Sequence, residues 1–329
     1  MQYFNQTPHK TLIIKVNVIE YLFILNYICK LRLPKFFAMI NIYNFQIAHP
    51  ETFTQLSVRD LMFVYYKCPQ KEKLMQLYNH YNLILFSLRG ERILHQGGKS
   101  WVIRKEASFF QRKTAYIQQL GKYQDWEVLA FYIPDDFLKQ FANEFMDSLP
   151  KWKLPEISEE MLIEINLNDV IKTYFYSILP YFTQKQNPSE KLIELKFKEL
   201  LFNIVSNPLN KELLAYILSL NKDYKPPVWQ IMEKNYMYNL TLSELAQISS
   251  RSLATFKREF HEYYHTTPGK WLTQKRLQHA KMLLNTSKLN VSEIAFDSGF
   301  ENASHFSRIF KKKYNCSPLQ YRKSQTEHV

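Results

Sequence analysis

The sequence predicts an α+β chain: a β-rich front domain with a helical insert, then an all-α domain with two helix-turn-helix motifs. Three observations lead there. Four of the six glycines, Gly90, Gly97, Gly98 and Gly121, fall within about thirty positions, which concentrates tight turns, and the strands between them, in one region. Glycine then disappears for more than a hundred residues, while apolar residues recur at helical intervals. The last third repeats itself with a period near fifty. The 329 residues suit two or three domains, and 46% apolar content fills their cores, which excludes global disorder. Lysine and arginine total 43 against 30 acids, a net +13 that draws the chain toward polyanions or anionic membrane surfaces. Only Cys29, Cys68 and Cys316 occur, without paired metal spacing, so neither a disulfide framework nor an oxidising compartment is expected. The expected address is the cytoplasm, with no membrane partner.

Residues 1–38 read as an N-terminal extension ahead of the folded part, because a fresh pattern begins at Met39. The mostly apolar stretch from Val16 to Cys29 contains Glu20 and is shorter than the roughly 20 residues needed to span a bilayer. Residues 39–135 form the β-rich domain. Short runs at 83–88, 93–95, 100–103, 108–110, 115–119 and 127–133 are dominated by β-branched, aromatic and aliphatic residues, the composition of strands in a small sandwich or barrel. Residues 136–225 read as an all-helical dimerisation and linker region. Its first helix carries Phe137, Leu138, Phe141 and Phe145 at helical intervals, further helices run at 169–178, 190–205 and 210–220, and breaks fall at Pro180, Pro188 and Pro208. The face of Leu192, Leu195, Phe197, Leu200, Leu201 and Ile204 is wide enough both to cover the sheet and to pair two chains. Pro226-Pro227 marks a stiff linker.

Residues 226–329 hold 15 basic against 8 acidic side chains. Within them Leu242-Ser243-Glu244-Leu245-Ala246 is echoed by Val291-Ser292-Glu293-Ile294-Ala295, and Phe256 and Phe260 by Phe306 and Phe310. Each first segment places apolar residues at i, i+3 and i+4 and ends in turn residues, Ser249-Ser250 or Ser298-Gly299. Ser252 and Asn302 then stand as N-caps of a second helix. With its phenylalanines inward, that helix presents Ala254, Lys257 and Arg258 in one copy, and Ser304, His305, Ser307 and Arg308 in the other. Thr267-Pro268 starts a connecting helix running to about Thr286. The reading is two helices aimed at base edges in successive major grooves, with Arg251, Lys311 and Lys312 on phosphates. His261, His265 and His279 have no cysteine or carboxylate at ligand spacing, so no metal or cofactor is expected.

With Arg276-Leu277, Ala280, Leu283-Leu284, Gly299-Phe300, the run from Ser304 to Lys312, Ser317-Pro318 and Tyr321-Arg322, the tail resembles the DNA-binding domain of the AraC/XylS family of bacterial transcription regulators. The resemblance implies double-stranded DNA and RNA polymerase as partners, activation, and no catalysis. It also implies a cupin-like sensor fold for the front domain, with a second copy of the chain and an unidentified small-molecule or protein effector as further partners. Ser108-Phe109-Phe110-Gln111-Arg112 and Ala115-Tyr116 are similar to the front domain of type III secretion activators, which answer to a protein partner. Two other classes stay open: an architectural protein that oligomerises without an effector, and a cupin-type metal enzyme, for which the strands supply only His95.

Overall fold

The computed structural model describes residues 39–122, 125–184 and 188–326. The Val16 to Cys29 stretch lies outside them. The front domain runs β1 (Ile40–Asn41), α1 (Ile42–Ala48), β2 (Thr54–Val58), β3 (Leu61–Lys67), β4 (Leu74–Asn79), β5 (Asn82–Arg89), β6 (Glu91–Gln96), β7 (Lys99–Arg104), β8 (Ser108–Gln111), β9 (Thr114–Leu120) and β10 (Glu127–Ile133). It continues through α2 (Asp135–Glu144), β11 (Leu162–Ile165), α3 (Asp169–Ile178), α4 (Glu190–Val205) and α5 (Lys211–Leu220). The tail is α6 (Val228–Asn235), α7 (Leu242–Ile248), α8 (Leu253–Tyr264), α9 (Pro268–Thr286), α10 (Val291–Asp297), α11 (Ala303–Tyr314) and α12 (Pro318–Thr326).

Two sheets stack, one ordered β1-β4-β9-β6-β7 and the other β11-β8-β5-β10-β3-β2. Alternation along β10 shows why its sequence is apolar without a break. Val128, Ala130 and Tyr132 face the other sheet and join Leu77, Leu94 and Tyr116, while Leu129, Phe131 and Ile133 face the helices and join Phe141, Phe175 and Phe197. A strand covered on both faces has no polar side to show. The insert therefore lies on the front domain as a third layer. Phe197, Leu200, Leu201 and Ile204 of α4 are buried in that layer, and Leu192 and Leu195 remain exposed.

Two expectations change. The region 136–225 is not all helical, because β11 pairs antiparallel with β8, Ile163 opposite Phe110. The strands β2, β3 and β4 escape a search anchored on glycine, since the β2–β3 hairpin turns through Arg59 at φ 51°. Pro227 does more than stiffen a linker: it is the N-cap residue of α6. That helix docks the tail on the five-stranded sheet, where Val228, Ile231 and Met232 share a core with Tyr78 of β4 and Ala115 of β9.

Candidate nucleic-acid interface

Each helix-turn-helix copy begins with a reciprocal cap. Thr241 Oγ1 accepts the Glu244 N–H at 3.2 Å and Glu244 Oε2 accepts the Thr241 N–H at 2.7 Å; Asn290 and Glu293 do the same at 2.9 and 2.7 Å. The turns that follow both need positive φ. Gly299 stands at 85° in the second copy, and a Cβ there would meet Arg276 Nε at 2.8 Å and Met237 O at 2.9 Å. In the first copy Ser250 takes the position at 56°. The second helices α8 and α11 are capped by Ser252 and Asn302, whose side chains accept the N–H of Thr255 and His305. Both end in a left-handed residue, His265 or Asn315.

This geometry buries Phe256, Phe260, Phe306 and Phe310 completely. It leaves Ala254, Lys257, Arg258, Ser304, His305 and Arg308 exposed, with Ser307 partly so. The Arg258–Glu262 approach, at 3.9 Å between side chains about two-thirds exposed, is worth little against solvent. Lys311 and Lys312 are exposed in the last turn of α11.

Arg251 is a correction. Its side chain is only 7% exposed, its Nε donates to Glu259 at 2.7 Å, and its Nη1 donates to the carbonyls of Pro226 and Ser249, both at 2.9 Å. A guanidinium committed to three internal acceptors staples the turn to the linker and leaves no fork for a phosphate.

Helix α9 ties the copies together, giving Leu272 to the first core and Leu277, Ala280, Leu283 and Leu284 to the second. Arg276 fixes its rotation by donating to the carbonyls of Tyr236 and Tyr238 at 2.7 and 2.9 Å. Burial pushes that guanidinium down to about 10, with Glu301 opposing. His279 is buried on the same helix without a protein partner for either ring nitrogen, and burial pushes it down to about 4. His261 and His265 are exposed, and no group of three or more metal-ligating side chains exists among the described residues. His95 sits in the sheet between Ser100 Oγ at 2.7 Å and Gln119 Oε1 at 2.9 Å.

The first copy is also fastened to the front domain, through side chains that periodicity could not single out. Tyr78 donates its hydroxyl to the capping Glu244 at 2.6 Å, and Asn235 accepts the Ala115 N–H at 3.1 Å. Asp135, in the first turn of α2, accepts from Lys113, from Ser250 of the turn at 2.8 Å and from Asn82 at 2.7 Å. Burial raises the Asp135 carboxyl, but the Lys113 ammonium and these hydrogen bonds prevail and hold it below the usual carboxylate range.

Comparison with known proteins agrees with this architecture. Residues 82–216 match the ExsA N-terminal regulatory domain family and residues 245–324 match a helix-turn-helix domain family. The virulence regulon transcriptional activator VirF of Yersinia enterocolitica is 24% identical over 249 residues, which is 74% of this chain and 92% of that one. The regulator ExsA of Pseudomonas aeruginosa is 22% identical over 240 residues, 73% of this chain and 85% of that one. The crystal structure of ToxT from Vibrio cholerae covers 80% of this chain and 97% of its own at 14% identity and a TM-score of 0.33. The matched domains and relatives are those of DNA-binding transcription regulators, a class of protein that is not enzymatic. The tail thus carries an AraC-type helix-turn-helix domain and the front an ExsA-type regulatory domain, and the relatives are AraC-family regulators.

Proposed function

We propose that the protein is a cytoplasmic transcription activator that seats α8 and α11 in adjacent major-groove segments of one duplex and touches RNA polymerase from there. One observation carries the reading: two copies of one motif hold their phenylalanines inward and their polar faces outward on a single rod, α9. Nineteen residues at 1.5 Å rise extend ~28 Å, against ~34 Å for one turn of B-DNA. Two readers on a stiff rod favour some bending of the duplex toward the protein. Activation is supported by the activator name carried by VirF. The exposed Leu192 and Leu195 of α4 supply a surface for a second copy, and an effector, small molecule or protein, acts through the front domain.

The test is to select bound fragments from genomic DNA and footprint them. A protected tract of about two helical turns is expected; the absence of any such tract ends the proposal. Arg308→Ala lowers specific affinity by about 1 to 3 kcal/mol and relaxes preference at one base pair. Equal losses on specific and random duplexes would remove Arg308 from base reading.

A further inference from the structure

The rod α9 does not by itself fix how the two copies face one another. To the first core it gives Leu272, with Trp271 packed beside it, and to the second it gives Leu277, Ala280, Leu283 and Leu284. A helix seated in the first core over so short a stretch sets the separation of the copies but resists roll between them poorly. A second joint opposes that roll. The loop between α6 and α7, residues 236–241, lies against the turn of the second copy. It moves with the first copy, because Tyr238 and Leu240 are buried in the first core. Gly299 approaches it so closely that a Cβ would sit 2.9 Å from Met237 O and 3.1 Å from Tyr236 O. At the exposed rim, Asn239 Nδ2 donates to Glu301 Oε1 at 3.2 Å.

Arg276 stands at the centre of this joint. It is rooted in α9, its Nε and Nη2 donate to Tyr236 O and Tyr238 O of the first copy's loop, and the same Nε lies 2.8 Å from where a Gly299 Cβ would sit. One guanidinium therefore touches the rod, the first copy and the turn of the second. Tyr236 closes the joint along α9, its ring meeting His279 edge-to-face at 5.8 Å with Lys275 Nζ 5.7 Å from its centroid. Two carbonyls held by one planar fork fix an angle as well as a distance, which the single point charge of a lysine does not.

We infer that Arg276 is a positioning residue that locks the rotation between α8 and α11, and thereby selects the number of base pairs that separates the two half-sites. It touches no base itself; it decides which operators present both half-sites to the readers at once. This rests on the DNA-reading role proposed above, and one arm of the test uses no DNA, so the two fail separately.

On a bound genomic fragment, one base pair is inserted or removed between the half-sites, which shifts one of them by ~3.4 Å and turns it by ~35° about the duplex. Affinity is measured across this series for the native protein and for Arg276→Lys. Native binding falls at least about tenfold off the preferred spacing, whereas Arg276→Lys binds the preferred spacing less tightly and varies across the series by at most about threefold. Without DNA, spin labels at Tyr263 and Lys313, exposed and in matching places on α8 and α11, report the distance between the reading helices. That distribution is narrow in the native protein and broader in Arg276→Lys. Asn239→Ala combined with Glu301→Gln loosens the same joint from its rim, moves both readouts the same way by less, and decides the matter if Arg276→Lys does not fold. A variant that weakens binding equally at every spacing overturns the inference, because a merely structural loss does that. An unchanged distance distribution overturns it too. If no fragment is preferred over random DNA, the functional reading falls, while the distance measurement still judges the joint.

Discussion

The two helix-turn-helix copies share a skeleton and differ in almost everything attached to it. Caps, turn, inward phenylalanines and left-handed helix ends coincide. Yet α8 carries two basic and two acidic residues, whereas α11 carries four basic and none acidic. The first copy shares a core with Tyr78 and Ala115 of the front domain, whereas the second core is built from tail residues alone. The duplicated motif is thus used unequally: the second copy presents the more basic helix, and the first is the one fastened to the front domain. The capping Glu244 shows this most plainly, since it accepts the Tyr78 hydroxyl with one oxygen while closing its own helix with the other.

The largest expected effect strikes the first copy only. Asp135→Asn leaves Lys113 buried beside a neutral amide and costs about 3 to 5 kcal/mol. Hydrogen exchange is expected to speed in α7 and α8 and to stay unchanged in α10 and α11. Uniform acceleration would mean that the copies are not independent. Gly299→Ala makes the reverse attack. A Cβ at φ 85° meets Met237 O at 2.9 Å, and the loss is about 2 to 3 kcal/mol, with faster exchange confined to α10 and α11.

His279 lies on the helix shared by both copies, so its titration should touch both. Its folded value of about 4 lies below the ordinary 6.5, so the unfolded chain binds the proton first as pH falls. The stability of the neutral, buried imidazole is full above about 6.5 and is lost toward 4; between pH 7 and 5 the loss is about 2 kcal/mol. Melting curves of native protein and His279→Leu at the two pH values check this, and an equal pH dependence in the variant would refute it. The smallest effect concerns charge. Lys312→Ala is expected to weaken binding evenly across sequences and to reduce the salt slope by about one unit, while Glu262→Lys at the matching place in α8 raises the slope by a similar amount.

Much of the site was legible because it obeys local rules. Ser252, Asn302 and Thr267 are read as caps from the residues that follow them, and the phenylalanine pairs at i, i+4 orient the readers without any tertiary knowledge. The failures are equally local in origin. Arg251 resembles a phosphate ligand until Glu259 and the carbonyls of Pro226 and Ser249 are placed around it. The strands β2 to β4 and β11 lack the glycine turns that betrayed the others, and β11 becomes a strand only because β8 offers it an edge.

What the sequence alone determined is the duplicated motif, its outward faces and its basic character, because caps, periodicity and charge act over a few residues. What only the tertiary structure decided is which copy answers to the front domain. Tyr78, Lys113 and Asp135 lie more than a hundred residues from the Glu244 and Ser250 they hold, and no short-range pattern records a contact made by closing so long a loop.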